Sequence, residues 1–500
     1  MGFSGSANFD IFPSKIMINR LFAWITFVII VFTNVINNSN AQNINRLKHR
    51  AVVYSTHMDR YSTRDEAEEN IVSKSPFVKS LNGIWKLTSK EGSSFVRIPG
   101  VWSQNHNNHN SLMSYKDEKS LEQLKSVKSV VLENQFELSQ EWLDRETFIS
   151  INNSQAVGMT LIINGDKVDY IADSKEFVKF DITGYVREGI NTIRLELDRY
   201  SVGTILSSGR YIGSAAAEIG DINLISAPKF RIEDFEFVHK FDSTGKNGLF
   251  ELRLIVANGR NFSETGTFYY DLMNSKGELI RYNYREVTIS GLGRDTIVFE
   301  GRIDKVEKWS SAKPVCYKLM MRTKKDGYFT EYIPFEFGFR TLDYSDNVLY
   351  VNGSSTSIKT LDYAHKELSN KELVAKITQA KKRGYNAFVL KVPQSPSFYQ
   401  TCMKKGMYVI DAVDISPVID DEVKNIANSP EQLRYFYERC QNTYLRNRNY
   451  TSVIGWSLGN SRYNGYNYKK AYLYFKNELD NTRPIIFNGA GTEWNCDKIN

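Results

Sequence analysis

The acidic side chains that could carry out acid–base chemistry are concentrated in one short stretch. Asp411 and Asp414 stand three residues apart in a predicted strand, and Asp420, Asp421 and Glu422 follow in a predicted loop. Neighbouring carboxyl groups can act as general acid and general base. Side chains three apart on a strand point to opposite faces, however, so Asp411 and Asp414 are not expected to form such a pair. The three acidic residues of the loop are interpreted as a solvated surface.

Histidine and cysteine are too sparse for most metal chemistry. The chain contains six histidines, and its four cysteines are scattered without any Cys-x-x-Cys spacing. This distribution excludes a zinc ribbon and a disulfide framework and argues against a multi-histidine metal enzyme. The four cysteines are Cys316, Cys402, Cys440 and Cys496.

The overall composition is that of a globular, sheet-rich protein. The 64 Lys and Arg residues exceed the 57 Asp and Glu residues by only seven over 500 residues. Because this small excess is spread along the chain, the sequence contains no basic cluster of the kind that binds nucleic acid and no polybasic membrane anchor. A hydrophobic content of 41% excludes general disorder, and an aromatic content of 13% favours sheets over helical bundles.

Residues 1–42 are predicted to be a signal-peptide region rather than part of the fold. The run from Leu21 to Thr33 is almost wholly apolar and follows two basic residues, and cleavage is predicted near Ala41. Such a run is too short to span a bilayer, although an uncleaved anchor is the alternative. In either case we expect an exported chain, periplasmic or secreted, with no stable membrane insertion beyond this segment.

Residues 43–227 and 228–341 predict two successive β-sandwiches. In the first stretch, short alternating strands are separated by turns, and Asn164-Gly165 is the strongest hairpin signal. The second stretch, with about seven strand signals, suits an immunoglobulin-like sandwich of roughly 100 residues.

Residues 342–500 predict alternating strands and helices. Ser369 or Asn370 can cap one helix, and Ser429 can cap another, while the strands between them are continuous apolar runs. This alternation is typical of parallel βα units. Since a closed eight-stranded barrel needs roughly 250 residues, the pattern alone is equally compatible with part of a barrel and with a small open α/β sheet.

Short motifs along the chain resemble those of glycoside hydrolase family 2, and they occur in family order. They are Leu81-Asn82-Gly83-Ile84-Trp85, Ile98-Pro99-Gly100-Val101-Trp102, Phe180-Asp181-Ile182-Thr183, Gly338-Phe339-Arg340, Gly406-Met407-Tyr408-Val409-Ile410-Asp411, Trp456-Ser457-Leu458-Gly459-Asn460 and Arg483-Pro484. The resemblance is closest to exported bacterial β-galactosidase-like members. It implies a jelly-roll-like sugar-binding β-sandwich, an immunoglobulin-like β-sandwich and then an incomplete (β/α)8 TIM barrel.

The resemblance also implies where the catalytic groups should lie. A retaining glycosidase needs two carboxyl groups about 5 Å apart, one as acid/base and one as nucleophile. The family's acid/base is the Glu that directly follows the Trp-Ser-Leu-Gly-Asn motif, and here Ser461 occupies that position. The family's nucleophile ends the seventh barrel strand, which these 500 residues do not contain. We therefore expect no intact catalytic residue.

The remaining site residues follow from the same resemblance. Ser416 and Val418 replace the Glu and His that bind magnesium in the family's third strand, so we expect no metal and no cofactor. Three residues are candidates for carbohydrate contact: Asn460, which keeps the family residue that holds the sugar's 2-hydroxyl, His365 and Trp494. Alternatively, Asn460 caps a strand end, His365 is an ordinary half-buried histidine, and Trp494 packs in the core or at an interface.

The sequence thus predicts a β-galactosidase-like protein of carbohydrate metabolism that is catalytically inactive and whose residual role is carbohydrate binding or association. One alternative is an active β-galactosidase-type enzyme, hydrolysing O-glycosyl bonds, in which a partner chain completes the barrel. Ser461 counts against it, because complementation restores the nucleophile but not the acid. A second alternative is a non-functional gene fragment. A carbohydrate ligand is expected, and nucleic acid is not.

Overall fold

The computed structural model describes residues 51–89, 92–103, 130–152, 158–172, 177–198, 201–206, 216–363, 368–416, 420–461, 464–489 and 496–499. The predicted signal-peptide region, His365 and Trp494 lie outside the described residues. Within the described ranges, no helix combines the length and the apolar character needed to cross a membrane.

The first part of the chain forms two large antiparallel sheets and a third sheet of two strands. Its strands are β1 (Val52–Val53), β2 (Val78–Ser80), β3 (Gly83–Ser89), β4 (Gly92–Ile98), β5 (Gly100–Ser103), β6 (Val130–Leu138), β7 (Glu146–Ile151), β8 (Gly158–Ile163), β9 (Asp166–Ile171), β10 (Val178–Asp181), β11 (Gly189–Asp198), β12 (Ala216–Ile219) and β13 (Ile222–Ala227). One sheet has the order β1-β10-β7-β13-β2, the other has the order β4-β3-β6-β11-β8-β9, and β5 pairs with β12. Short helices lie between them: α1 (Arg64–Glu69), α2 (Gln140–Leu143) and α3 (Val202–Leu206), together with the 3-10 turn Val72–Lys74.

The alternation that predicted these strands is visible in their burial. Along β11, Ile193, Leu195 and Leu197 are buried while their neighbours are more exposed. The predicted hairpin also forms, because Asn164 and Gly165 join β8 to β9 with φ angles of 53° and 92°. Positive φ at both central residues is what a tight two-residue hairpin turn requires.

The second part forms seven strands in two sheets. They are β14 (Phe230–Phe241), β15 (Gly248–Asn258), β16 (Glu264–Met273), β17 (Leu279–Ile289), β18 (Arg294–Ile303), β19 (Tyr317–Lys325) and β20 (Tyr328–Phe337). The three-stranded sheet is β14-β15-β18 and the four-stranded sheet is β17-β16-β19-β20. Fully buried side chains such as Leu252 and Phe268 fill the core of this immunoglobulin-like sandwich.

The third part is a parallel sheet with helices between its strands. After a small antiparallel sheet of β21 (Leu342–Ser345), β22 (Val348–Val351) and β23 (Ser354–Ser355), the parallel strands are β24 (Thr360–Tyr363), β25 (Ala387–Leu390), β26 (Tyr408–Ala412), β27 (Val453–Ser461) and β28 (Ile485–Gly489). They pair in chain order, as βα units do. The helices are α4 (Asn370–Lys382), α5 (Pro396–Lys404), α6 (Asp420–Asn428), α7 (Leu433–Asn447) and α8 (Tyr466–Tyr474), with the 3-10 turn Pro430–Gln432 before α7 and the π-turn Phe475–Leu479 after α8.

Two local predictions about this part were wrong. The acidic stretch from Asp420 to Glu422 begins α6 rather than lying in a loop. Asp414 does not belong to a strand, because β26 ends at Ala412 and Asp414 has a φ of 57°. The apolar run continues past the end of the strand, so hydrophobicity alone extended the predicted strand too far. The predicted cap of α4 is confirmed at Ser369, which forms a capping box with Glu372.

A buried arginine joins the immunoglobulin-like sandwich to the parallel sheet. Arg340 donates from Nε to the carbonyl of Thr451 at 2.5 Å and from Nη2 to the carbonyl of Val453 at 2.6 Å. The backbone N–H of Gly338 also donates to Oγ1 of Thr451, at 2.8 Å. These bonds fix the end of the second sandwich against the start of β27, and charge-assisted bonds of this kind are stronger than neutral ones.

A second buried arginine ties the segment before α1 to the immunoglobulin-like sandwich. The Nε of Arg60 lies 2.9 Å from Oε2 of Glu331, and its Nη2 donates to the carbonyl of Ile232 at 2.7 Å. The other oxygen of Glu331 accepts from the N–H of Ile232 and from Oγ1 of Thr323, both at 2.7 Å. Glu331 is fully buried, so its charge depends on these partners.

The Arg60→Met variant is expected to lower the free energy of unfolding by about 3–5 kcal/mol, because it leaves the Glu331 carboxylate buried without a cation. Urea unfolding followed by tryptophan fluorescence measures the change. The control is Arg302→Met, which breaks an exposed pair with Asp304 and is expected to cost about 0–1 kcal/mol. Equal losses in both variants would show that the buried pair has no special role.

Candidate active site at the carboxyl ends of the parallel strands

The carboxyl ends of the five parallel strands meet at one edge of the sheet. The register pairs Tyr363 with Leu390 at the ends of β24 and β25, and Ser461 with Gly489 at the ends of β27 and β28. In open and closed α/β sheets, ligands bind at this edge. The side chains at and just beyond these strand ends therefore form the candidate site.

Ser461, the predicted occupant of the acid/base position, is buried at the end of β27. Its side chain is about 5% exposed. Burial raises the pKa of the Tyr468 hydroxyl on α8, and the neighbouring Ser461 hydroxyl acts in the opposite direction. The Tyr468 ring stacks on Phe487 of β28 with a centroid separation of 4.6 Å. Ser461 thus lies beside the helix that follows its strand, next to the Tyr468 hydroxyl.

Asn460, the residue before Ser461, has an exposed side chain. Its backbone N–H donates to Oγ of Ser416, at 3.0 Å, in the segment after β26. The N–H of Ser416 in turn donates to the carbonyl of Leu206 in α3, at 2.8 Å. These bonds hold the ends of two parallel strands and a helix of the first sandwich together. They leave the Asn460 side chain exposed at the strand edge.

Asp411 is fully buried at the end of β26 and serves as a hub of hydrogen bonds. Its Oδ1 accepts from the Tyr399 hydroxyl at 2.7 Å and from the Ala412 N–H at 2.9 Å, and its Oδ2 accepts from the Asn447 amide at 2.6 Å. Burial raises the pKa of the Asp411 carboxyl, whereas the Arg446 guanidinium and these hydrogen bonds lower it. Asp411 therefore links β26 to α5 and α7 rather than facing the strand edge.

Asp414 is also buried, about 1% exposed, in the segment after β26. Its carbonyl accepts a hydrogen bond from Arg439 of α7, and Nη2 of Arg439 donates to the carbonyl of Gly203 in α3 at 3.0 Å. Arg439 thus connects the end of β26 to the first sandwich. No sequence pattern singles out Arg439, because its contacts join residues far apart in the chain.

The cleft beside Arg439 lies between α7 and the first sandwich. It has a volume of about 440 Å³, open to solvent, and Tyr435, Glu438 and Asn442 of α7 line it together with Tyr54. These polar residues were not predicted as site residues. No local motif marks them, so the sequence pattern alone could not have identified them.

Asp362 and Lys391 form an ion pair at the ends of β24 and β25. The Nζ of Lys391 lies 3.0 Å from Oδ2 of Asp362, and the Asp362 side chain is 68% exposed. Asp362 and Asp411 are the two carboxylates within the described parallel strands, and they differ sharply in burial.

The chain matches two models of one family. The model described as glycosyl hydrolases family 2, TIM barrel domain, matches residues 346–500, and the model described as glycosyl hydrolases family 2 matches residues 230–340. Together they cover more than half of the chain. The chain belongs to glycoside hydrolase family 2.

Similar curated proteins support this assignment. A β-galactosidase of Priestia megaterium (strain DSM 319 / IMG 1521) is 25% identical over 91% of this chain and 47% of its own length. A β-galactosidase of Streptococcus thermophilus is 25% identical over 71% of this chain and 35% of its own length. The chain therefore resembles β-galactosidases, and it spans less than half the length of these relatives.

Solved structures share the fold. A Bacteroides uniformis β-glucuronidase superimposes with a TM-score of 0.66 at 14% identity, covering 82% of this chain and 52% of that protein. A glycosyl hydrolase family 2 member from Bacteroides cellulosilyticus gives a TM-score of 0.67 at 17% identity, covering 83% and 56%. These likenesses confirm the predicted fold class of two β-sandwiches followed by βα units of a TIM barrel.

Two family motifs serve the core rather than a ligand. Trp456 is fully buried, its Nε1 donates to Oδ2 of Asp480 at 2.8 Å, and the Arg483 guanidinium lies 5.2 Å from its ring centroid. Arg483 also donates to Asp480 and to the Arg448 carbonyl. Trp456 therefore belongs to the core around the parallel sheet, and the Arg483-Pro484 motif of family 2 supports that core at the start of β28.

Asp411→Ala is expected to lower the free energy of unfolding by about 3–5 kcal/mol, because it leaves the buried Tyr399 hydroxyl and Asn447 amide without their acceptor and removes the negative charge near Arg446. Thermal unfolding followed by circular dichroism measures the loss. Asp362→Ala, which breaks an exposed pair, is the matched control and is expected to cost about 0–1 kcal/mol. A small loss for Asp411→Ala would indicate that this carboxylate is not structural.

Replacing Ser461 by Glu is expected to destabilise the protein, since the larger side chain must fit a buried position beside Tyr468. Overpacking a buried position costs roughly 1–3 kcal/mol, so a fall in melting temperature is predicted. Ser461→Ala, which only removes a hydroxyl, is expected to change the melting temperature far less. A Ser461→Glu protein as stable as the unaltered one would mean that position 461 opens to solvent.

Proposed function

We propose that this chain is a β-galactosidase-like member of glycoside hydrolase family 2 that binds carbohydrate without hydrolysing it. The observation that carries the proposal is the hydroxyl of Ser461, buried at the end of β27, where the family places its acid/base glutamate. The proposal also places the protein in the periplasm or outside the cell, on the strength of the apolar run from Leu21 to Thr33.

Hydrolysis requires a group that protonates the glycosidic oxygen and later removes a proton from water. A carboxyl group with a raised pKa does both near neutral pH, whereas a serine hydroxyl has no accessible carboxyl-like pKa. Ser461 ends β27 at the strand edge, but its side chain is buried beside Tyr468 rather than exposed there. Both its chemistry and its placement argue against a role in turnover.

The two carboxylates of the described parallel strands are poor substitutes. Asp411 is fully buried with both oxygens engaged by Tyr399, Asn447 and its own neighbour in the chain. Asp362 is exposed and paired with Lys391. A general acid needs a half-buried carboxyl group that faces the substrate, whereas Asp411 is enclosed by its partners and Asp362 is exposed to solvent.

We also propose that the protein does not hold the family's magnesium ion. The Ser416 hydroxyl stands where the family has a carboxylate ligand, and its oxygen already accepts the Asn460 N–H at 3.0 Å. Val418, which replaces the family's histidine ligand, offers no donor atom at all. A hard cation prefers carboxylate and other oxygen ligands, so this pair of residues does not suit it.

Asn460 supports the binding half of the proposal. The residue keeps the family identity, and its side chain is exposed at the edge where the parallel strands end. An amide can both donate to and accept from sugar hydroxyls, which suits the orienting of a galactose-type ring. Binding therefore needs no carboxylate at position 461.

The direct test is an assay of the purified chain with 4-nitrophenyl β-galactoside and 4-nitrophenyl β-glucuronide. No release of nitrophenol above the buffer rate is expected, because the proton donor is missing. The Asp414→Asn variant, whose folding is checked by circular dichroism, serves as the control. If activity is lost in this variant, the activity belongs to this chain. Turnover that this variant loses would contradict the proposal, as would turnover that appears when a second chain completes the barrel.

Binding is tested separately by isothermal titration with galactose. Asn460→Ala is expected to weaken binding by about tenfold, the loss of roughly one good hydrogen bond. Asn261→Ala, which removes an exposed amide in the second sandwich, is the matched control and is expected to bind normally. Equal binding by both variants would remove Asn460 from the site.

A further inference from the structure

A row of aromatic rings crosses the outer face of the four-stranded sheet of the immunoglobulin-like sandwich. The rings, here called the aromatic row, belong to Tyr284 of β17, Tyr269 of β16, and Phe329 and Tyr332 of β20. Successive centroids are 5.3, 5.4 and 5.5 Å apart. Because neighbouring strands lie about 4.8 Å apart, a row across four strands extends for roughly 14 Å.

The row is held in place by an arginine of β19, the strand between β16 and β20. The Arg322 guanidinium lies 5.1 Å from the Tyr269 centroid and 4.6 Å from the Phe329 centroid. Its Nη2 donates to Oδ1 of Asp271 at 2.7 Å, and Arg64 of α1 binds the other oxygen of Asp271. The rings are therefore ordered before any ligand arrives, which lowers the entropic cost of binding.

One end of the row is covered and the other is open. Tyr332 packs against Tyr61 and Ala67 of the segment that carries α1. At the opposite end Tyr284 is 58% exposed, and Tyr282, two residues along the same strand and on the same face, is 64% exposed. Contiguous exposed aromatic surface of this kind on a protein marks an interaction site.

The charges around the row favour an anionic ligand at its β19–β20 side. The Lys324 ammonium lies 5.8 Å from the Phe329 centroid, and Lys324 takes part in none of the ion pairs between the described residues. In the register of the sheet, Lys324 pairs with Thr267 of β16, and Thr267 pairs with Glu286 of β17, whose carboxylate is exposed. The lysine charge is thus available beside the rings, and the nearest acid along these paired residues is two strands away.

We propose that the aromatic row and Lys324 form a binding site for a polysaccharide that carries uronic-acid carboxylates. One face of a pyranose ring presents C–H groups that pack on the negative face of an aromatic ring. A carboxylate on the same sugar chain accepts a charge-assisted hydrogen bond from the lysine. This site lies on the second sandwich and does not depend on the function proposed for the strand ends.

Affinity electrophoresis in gels that contain polygalacturonate or neutral galactan tests the site. The protein is expected to be retarded by polygalacturonate and not by galactan. Tyr284→Ala is expected to weaken the affinity by about tenfold, since it removes one stacking ring. Lys324→Gln is expected to weaken it and to reduce its salt dependence, while Glu286→Gln is expected to strengthen it by removing a like charge.

Matched controls lie on α8, where Lys470 stands 5.4 Å from the centroid of the exposed Tyr466 ring in the same kind of cation–π contact. Tyr466→Ala and Lys470→Gln are expected to leave the affinity unchanged. The proposal fails if the unaltered protein is not retarded, if galactan retards it equally, or if the controls lose as much affinity as Tyr284→Ala and Lys324→Gln. Thermal unfolding of each variant confirms that the exposed substitutions leave the fold intact.

Discussion

The parallel register of the five strands of the third part is the constraint on which the site depends. Because these strands pair in chain order, their carboxyl ends lie at one edge, and the hydrogen-bonded register places the residue that ends each strand there. Arg340 fixes this sheet against the immunoglobulin-like sandwich, and Arg439 fixes the end of β26 against the first sandwich. The identity of a strand-ending residue therefore decides which chemistry the edge can support.

At the end of β27 that residue is Ser461. The serine lacks the carboxyl group that donates a proton in the family, and it also changes what can pack at the strand end. A glutamate at this position would place a larger, charged side chain in a buried setting, whereas the hydroxyl of Ser461 lies beside the Tyr468 hydroxyl. The neighbouring residue, Asn460, keeps both its family identity and its exposure. A serine at this position beside an exposed amide supports the combination proposed above, which is recognition without turnover.

Much of the fold could be predicted from the sequence, because periodicity and turn chemistry act locally. The alternation along β11, the Asn164-Gly165 hairpin and the Ser369 cap all have short-range causes, and all are confirmed. The family motifs resolved the choice between a barrel and an open sheet, which periodicity left undecided. The strand end at Ala412 and the helix at Asp420 were missed, since the apolar run past Ala412 looks like more strand and the acidic start of a helix looks like a loop. The roles of Arg439 and Asp411 depend on hydrogen bonds between residues far apart in the chain, so no local sequence pattern could predict them.

The measurement that tests the central claim most directly is a crystal structure of the protein with a non-hydrolysable β-galactoside bound at the strand edge. The account predicts that Asn460 contacts the sugar and that no side-chain carboxyl group of this chain lies within hydrogen-bonding distance of the glycosidic oxygen. A structure in which two carboxyl groups flank the anomeric carbon about 5 Å apart, the arrangement of a retaining glycosidase, would contradict it.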